Sequence, residues 1–261
     1  MTEQQNPTNP LLERVKLPGE TYTLPSQGLF YTHGELDESV NNGEVLIYPM
    51  NTMDELTLKT PDKLFSGEAI TDVFRRCVPQ IKQPMQLLAK DVDFIMVCLR
   101  KLTYGEFIDI KYQHNCTDSK EHPYSISVDP FINQTKRIDP TTITTNYTLK
   151  LDNGQTLKLA PPRIDVVLKI YQSTNDEDEA KMSEGLFDTI TGMVESVDDI
   201  TDEKMIREWV QTIPAGWVHQ ISDKVEDLSD WGPEFASTVK CTDCGNNMTV
   251  TTPINPLAFF I

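Results

Sequence analysis

The residues best equipped for chemistry lie near the end of the chain, in Cys241-Thr242-Asp243-Cys244-Gly245. Two thiols separated by two residues can point at one ion about 2.3 Å from each sulfur, and the following glycine tolerates a positive φ in a tight turn. That is one half of a zinc knuckle. The other half has to come from elsewhere, and the remaining segment rich in suitable donors is His114-Asn115-Cys116…His122. The expected ligands are Cys116, Cys241 and Cys244 with His122 as the fourth, because a chain running from Cys116 to His122 can turn back on one ion. His114 is the alternative fourth ligand, since residues two apart on a strand face the same side. Four protein ligands leave no position for a reactive water. Zinc bound this way would be structural, joining two segments across a long stretch of chain. The competing reading is a set of reduced, idle thiols.

Other catalytic arrangements are thin. The chain holds no G-x-S-x-G, no phosphate-cradling glycine loop and no H-E-x-x-H. His33 falls in the loop Tyr31-Thr32-His33-Gly34 and His219 in a helix after Trp217, both places for an unremarkable exposed imidazole. Trp209 and Trp217 suit a core or an interface better than a ligand cage. Carboxylates are so numerous that no pair stands out. An enzyme is not expected.

Composition narrows the partners. At 261 residues with 38% hydrophobic content the chain can bury a substantial core as one large or two modest domains. Its mean hydropathy is −0.37, and no apolar run approaches a membrane span. The first residues carry no basic group followed by an apolar stretch, so no secretory signal is expected and folding is expected in a reducing cytosol. Five cysteines, an odd number, also argue against a disulfide framework. The net charge is −17, and the section from Asn175 to Trp231 supplies −12 of it, with 16 Asp or Glu against 4 Lys or Arg. Nucleic-acid binding depends on cations that neutralise phosphates, so DNA and RNA are unlikely partners.

The elements that must position the donors follow from periodicity. Residues 1–21 read as a flexible arm and residues 22–105 as an extended segment leading into a helical core. Glu44 to Met50 contains a short strand. Thr60-Pro61-Asp62 starts a helix, and after Ser66-Gly67 another carries Ala69, Ile70, Val73, Phe74, Cys77 and Val78 on one stripe. Asp91 caps a helix that is apolar nearly all round and ends at Gly105, so it belongs in the middle of the core; Cys77 and Cys98 there read as buried thiols. Residues 106–174 and 232–261 then read as an antiparallel lobe of four or more strands, including a hairpin turning at Asn153-Gly154, with the zinc clasp within it. Residues 175–231 read as an acidic helical subdomain with stripes at Leu186–Val194, Met205–Ile213 and Trp217–Leu228. The fold class is α+β: a helical N-terminal half, a small antiparallel sheet with a zinc-ribbon-like clasp, and an acidic helical insertion.

Several of these segments occur in a recognisable order. Leu24-Pro25-Ser26-Gln27-Gly28-Leu29-Phe30-Tyr31 is followed by Val45 to Met50, Asp54-Glu55 and Ser66-Gly67-Glu68-Ala69-Ile70. Leu102-Thr103-Tyr104-Gly105, the cysteine-containing strand, the C-x-x-C-G and a terminal Asn255-Pro256…Phe259-Phe260 complete the series. The chain thereby resembles the baseplate hub family of contractile-tailed phages of the T-even type, over about residues 22–174 and 232–260. The resemblance implies a non-enzymatic hub subunit or hub assembly protein that binds other baseplate and tail hub proteins. It would be made in the host cytoplasm and either retained in the virion or released as a chaperone. The chain departs from the family in one place, with His114, Cys116 and His122 standing where relatives carry a second C-x-x-C. The extended arm and the apolar residues 253–261 suit docking on neighbours. The alternative is a zinc-ribbon nucleic-acid-binding or regulatory protein, which needs a basic surface where only Lys240, Lys111 and Lys120 flank the donors. A metal-dependent hydrolase is the third reading.

Overall fold

The chain is seen in a computed structural model that describes residues 17–113, 121–141, 143, 147–174, 179–241 and 244–251. It is α+β. Strands β1 (Glu20–Thr23) and β2 (Glu44–Ile47) form a two-stranded antiparallel sheet with Tyr22 opposite Val45. The connection between them folds back tightly on the Leu24 turn. Leu24 N–H donates to the Gly43 carbonyl at 2.9 Å, and a Cβ on Gly43 (φ +69°) would come within 2.6 Å of the Gly28 nitrogen. Only glycine fits that approach.

Four helices follow. α1 (Thr52–Leu58), absent from the sequence reading, starts with a reciprocal cap: Asn51 Oδ1 accepts the Asp54 N–H at 3.1 Å, and Asp54 Oδ2 accepts the Asn51 N–H at 2.7 Å. α2 (Pro61–Phe65) begins with the expected proline at its first position. α3 (Glu68–Cys77) buries Ala69, Ile70, Val73, Phe74 and Cys77, the stripe expected from spacing. α4 (Ala89–Tyr104) buries Val92 and the run from Phe94 to Leu99, and it stops at Gly105 (φ +88°). These residues pack with Leu24, Val45, Ile47 and Leu58 into the first and largest of three apolar clusters among the described residues; the second is built around the acidic helices and the third is small, around Leu88, Ile138 and Trp231. Each large aliphatic or aromatic side chain fully buried there contributes about 1.5–3 kcal/mol by leaving water.

The strand-rich part differs from the single sheet expected. β3 (Phe107–Gln113) and β4 (Glu121–Ser127) pair with each other, with Ile108 opposite Ile126 and both on the first core. α5 (Asp129–Asn133) follows, its Phe131 ring edge-on to Phe235 at 5.5 Å. The Asn-Gly hairpin forms as β5 (Thr148–Lys150) and β6 (Thr156–Leu159), with Gly154 at φ +89° and Leu151 N–H donating to the Gln155 carbonyl at 2.9 Å. Beyond it lie α6 (Ile164–Thr174), α7 (Glu179–Met193), β7 (Val194–Val197), α8 (Glu203–Thr212), α9 (Ala215–Asp227), and the final hairpin of β8 (Ala236–Lys240) and β9 (Asn247–Thr251). Among the described residues the strands form separate sheets of two, two, three and two strands.

The third strand of β5–β6–β7 is a surprise of physical origin. Val194 continues the apolar stripe of α7, and the sequence reading placed it in that helix. Instead the chain turns to extended form, and Val194 to Val197 satisfy the backbone groups on the open edge of β6, with Leu157 opposite Val197. The hairpin therefore shares its core with the acidic helices. Leu151, Leu157 and Leu159 pack with Ile190, Val194, Val197, Ile206, Val210, Ile221 and Val225. α6 links the first core to α7: Ile164, Val167 and Leu168 pack in that core, while Val166 lies against Gly192 of α7 so closely that a Cβ there would sit 2.5 Å from it.

Candidate metal clasp and a buried polar anchor

The C-x-x-C lies at the tip of the β8–β9 hairpin, beyond the Lys240–Asn247 pair. Cys241 N–H donates to the Asn246 carbonyl at 2.9 Å, and Gly245 N–H donates to the Cys241 carbonyl at 3.0 Å with Gly245 at φ +72°. The glycine thus does what a knuckle turn requires of it. Cys241 is 2% exposed and Cys244 is exposed. Alternation along β8 turns Val239 toward the first core, which Phe235 also meets.

His122 pairs with Tyr112 near the far end of β3–β4. The His122 side chain, His114 and Cys116 lie outside the described residues. The structure therefore places Cys241, buried, and Cys244, exposed, at one hairpin tip, and roots the hairpin bearing His122 on the first core. Among the described residues no group of three or more His, Cys, Asp or Glu is placed to hold a metal. Two thiols on one turn fit half of a tetrahedral zinc site and do not close it.

The remaining candidates fall where their residue types direct them. Cys77 and Cys98 are fully buried, and burial pushes both thiols up, which keeps them protonated and inert. His33 and His219 are exposed. Trp209 and Trp217 pack on the second core, and Trp209 Nε1–H donates to Gln155 Oε1 at 3.3 Å.

Sequence reasoning missed a buried polar cluster that fastens residues 24–36 to the helical body. Asp91 does not cap α4. The cap is Leu88, and Asp91 sits in the first turn, fully buried. Its Oδ1 accepts the Ser26 N–H at 2.9 Å and its Oδ2 accepts the Tyr31 hydroxyl at 2.7 Å. The same hydroxyl accepts the Leu88 N–H at 2.9 Å. Burial pushes the Asp91 carboxyl up to about 6, against the Ser26 and Tyr31 donors that draw it down. Burial, with the Asp91 charge beside it, also holds the Tyr31 phenol well above its usual range.

Arg163, just ahead of α6, completes the anchor. Its guanidinium is 3.2 Å from Glu35 Oε1, donates to the Phe30 carbonyl at 2.9 Å and to the Gln86 carbonyl, and lies 5.9 Å from the Tyr31 ring centroid. The Glu35 carboxylate also accepts the His33 N–H at 2.7 Å. One cation thus reaches the extended segment, the approach to α4 and α6 together. The available signal was the carboxylate of Asp91 at the start of a helix apolar all round, which has to find donors if it is buried.

No curated protein and no solved structure matches the chain. Residues 38–261 match a protein-family model, described as T4 bacteriophage base plate protein.

Proposed function

The chain belongs to the T4 bacteriophage base plate protein family, and we propose that it is a structural or assembly (chaperone-like) component of the central hub, acting by contact with other base plate proteins and not by turnover. The observation that supports this reading is the match over residues 38–261, which takes in most of the first core, all of the second and the final hairpin. On this reading the chain folds in the host cytoplasm and joins the tail there. Zinc held by Cys116, Cys241, Cys244 and His122, or His114 in its place, would fasten the β3–β4 tip to the β8–β9 tip. It would act as a cross-link that stabilises the fold, in a site closed to substrate.

The experiment is co-purification of the full chain with the hub proteins of the same phage, beside a form lacking residues 253–261, an apolar segment suited to docking. The full chain is expected to associate with hub proteins, and the truncated form to fold and lose that association. Undiminished association of the truncated form removes the docking role of the segment. A full chain that associates with other base plate proteins but with no hub protein removes the hub assignment.

A further inference from the structure

Two large apolar side chains stand exposed where the second core reaches its surface at the β7–α8 turn. Ile200 is 45% exposed and Met205 is 54% exposed, although their neighbours Val197 and Ile206 are buried. The segment that carries them is held stiffly. Val197 and Ile200 exchange N–H to carbonyl bonds, each of 3.0 Å. Asp198, at φ +52°, donates its N–H to the Thr156 carbonyl at 2.7 Å and accepts the Thr156 N–H on Oδ1 at 2.9 Å. Asp202 Oδ1 accepts the Met205 N–H at 2.9 Å and so fixes the first turn of α8. A partner meeting this ridge would have little backbone to order, which removes part of the cost of binding.

The surroundings specify the kind of partner. From Glu195 to Ile206 the chain carries five carboxylates and one cation, Lys204. Asp199, Glu203 and Glu208 are exposed, and Glu208 lies one helical turn beyond Met205 on the same side of α8. Among the described residues none of these three has an ion-pair partner, and the nearby Arg207 is engaged by Asp188. Phosphate backbones and anionic membranes are repelled by such a rim. A second copy is repelled as well, because the chain carries −17.

We infer that the Ile200–Met205 ridge is a docking surface for a different protein, one that offers an apolar recess bordered by Lys and Arg. The apolar pair supplies the buried centre and the carboxylates supply steering and register. This inference rests on the base plate reading only for where the partner is sought.

The test titrates the purified full chain against each other purified protein of the same base plate, at low and high salt. The wild type is expected to bind one of them, more weakly as salt rises. Ile200→Ser with Met205→Ser is expected to weaken that binding about tenfold or more. Asp199→Lys with Glu208→Lys is expected to slow association at low salt, with a smaller effect at high salt. Glu38→Lys with Glu44→Lys, exposed on the far core, is expected to change nothing. Carbodiimide cross-linking of the wild-type complex is expected to join Asp199, Glu203 or Glu208 to a partner lysine, and it does not depend on any variant folding. Ridge variants that bind like the wild type, a control that costs as much, or cross-links confined to other carboxylates overturn this inference alone. Ridge-dependent self-association, or binding to RNA or anionic vesicles in place of protein, overturns it too. A wild type that binds no base plate protein overturns it together with the functional reading above.

Discussion

The Tyr31 hydroxyl stands between two partners 57 and 60 residues away in sequence, donating to Asp91 at 2.7 Å and accepting the Leu88 N–H at 2.9 Å. One oxygen thus satisfies a backbone donor at the head of α4 and a buried carboxylate in its first turn. Tyr31→Phe leaves the buried Leu88 N–H without its partner and takes one of two donors from the buried Asp91 carboxylate, which keeps the Ser26 N–H. The expected loss is about 2–4 kcal/mol, measured as the shift of a urea unfolding curve, with the larger value if neither group reaches water. A shift below about 0.5 kcal/mol would show that the cluster is not fastening the segment.

Asp91 also sets a pH dependence. Its folded carboxyl lies near 6, above the ordinary value of 3.8, so the folded state holds a proton that the unfolded state has already released. A raised carboxylate contributes its stability below the ordinary value and loses it as pH rises through the folded one. The loss between pH 4 and pH 7 is about 2.4 kcal/mol. Asp93, pushed to about 6 by burial with Lys90 opposing, slopes the same way, so the informative quantity is the difference between wild type and Asp91→Asn. That difference should change across pH 4–7; a difference independent of pH rejects the assignment.

Two glycines with positive φ separate backbone strain from collision. Gly105 (φ +88°, ψ −171°) has nothing within 4 Å of an added Cβ but holds an extended positive-φ conformation essentially restricted to glycine, so Gly105→Ala should cost about 1–3 kcal/mol from backbone strain alone. Gly43 has the Gly28 nitrogen at 2.6 Å and backbone atoms of Gln27 within 3 Å. Gly43→Ala should therefore cost at least about 2 kcal/mol more, read from thermal melting of the two variants. Equal costs would mean that the Leu24 turn yields easily.

The proposed zinc divides the cysteines into two sets. Cys241→Ser or Cys244→Ser should abolish retention of one zinc per chain, whereas Cys77→Ala and Cys98→Ala, in the core, should retain it while lowering stability by a cavity term. Elemental analysis of dialysed protein, with melting temperatures before and after chelation, reads both effects. A wild-type chain purified with zinc present that holds none ends the metal proposal.

Much of the helical half was legible because its signals are local. The stripe of α3, the all-round apolarity of α4, the proline opening α2 and the glycine closing α4 each report on a few consecutive residues, and tertiary packing agreed with them. α1 was missed because Asn51 and Asp54 form a cap that reads as ordinary polar sequence unless the helix is already assumed. β7 was missed because Val194 satisfies two patterns at once, and the open edge of β6, more than thirty residues upstream, decides between them. The hairpin was legible, but not which core it would cover, since Leu151, Leu157 and Leu159 are apolar whatever they face. At the candidate site the C-x-x-C turn was plain from spacing, whereas the anchor of Asp91, Tyr31, Glu35 and Arg163 joins segments far apart in sequence and leaves only one displaced carboxylate as a trace.

The contact of Val166 with Gly192 bears on how the molecule would respond to load. α6 sends Ile164, Val167 and Leu168 into the first core, while its Val166 meets Gly192 of α7 too closely for any side chain to stand there. A load applied at the first core would therefore pass through α6 to α7.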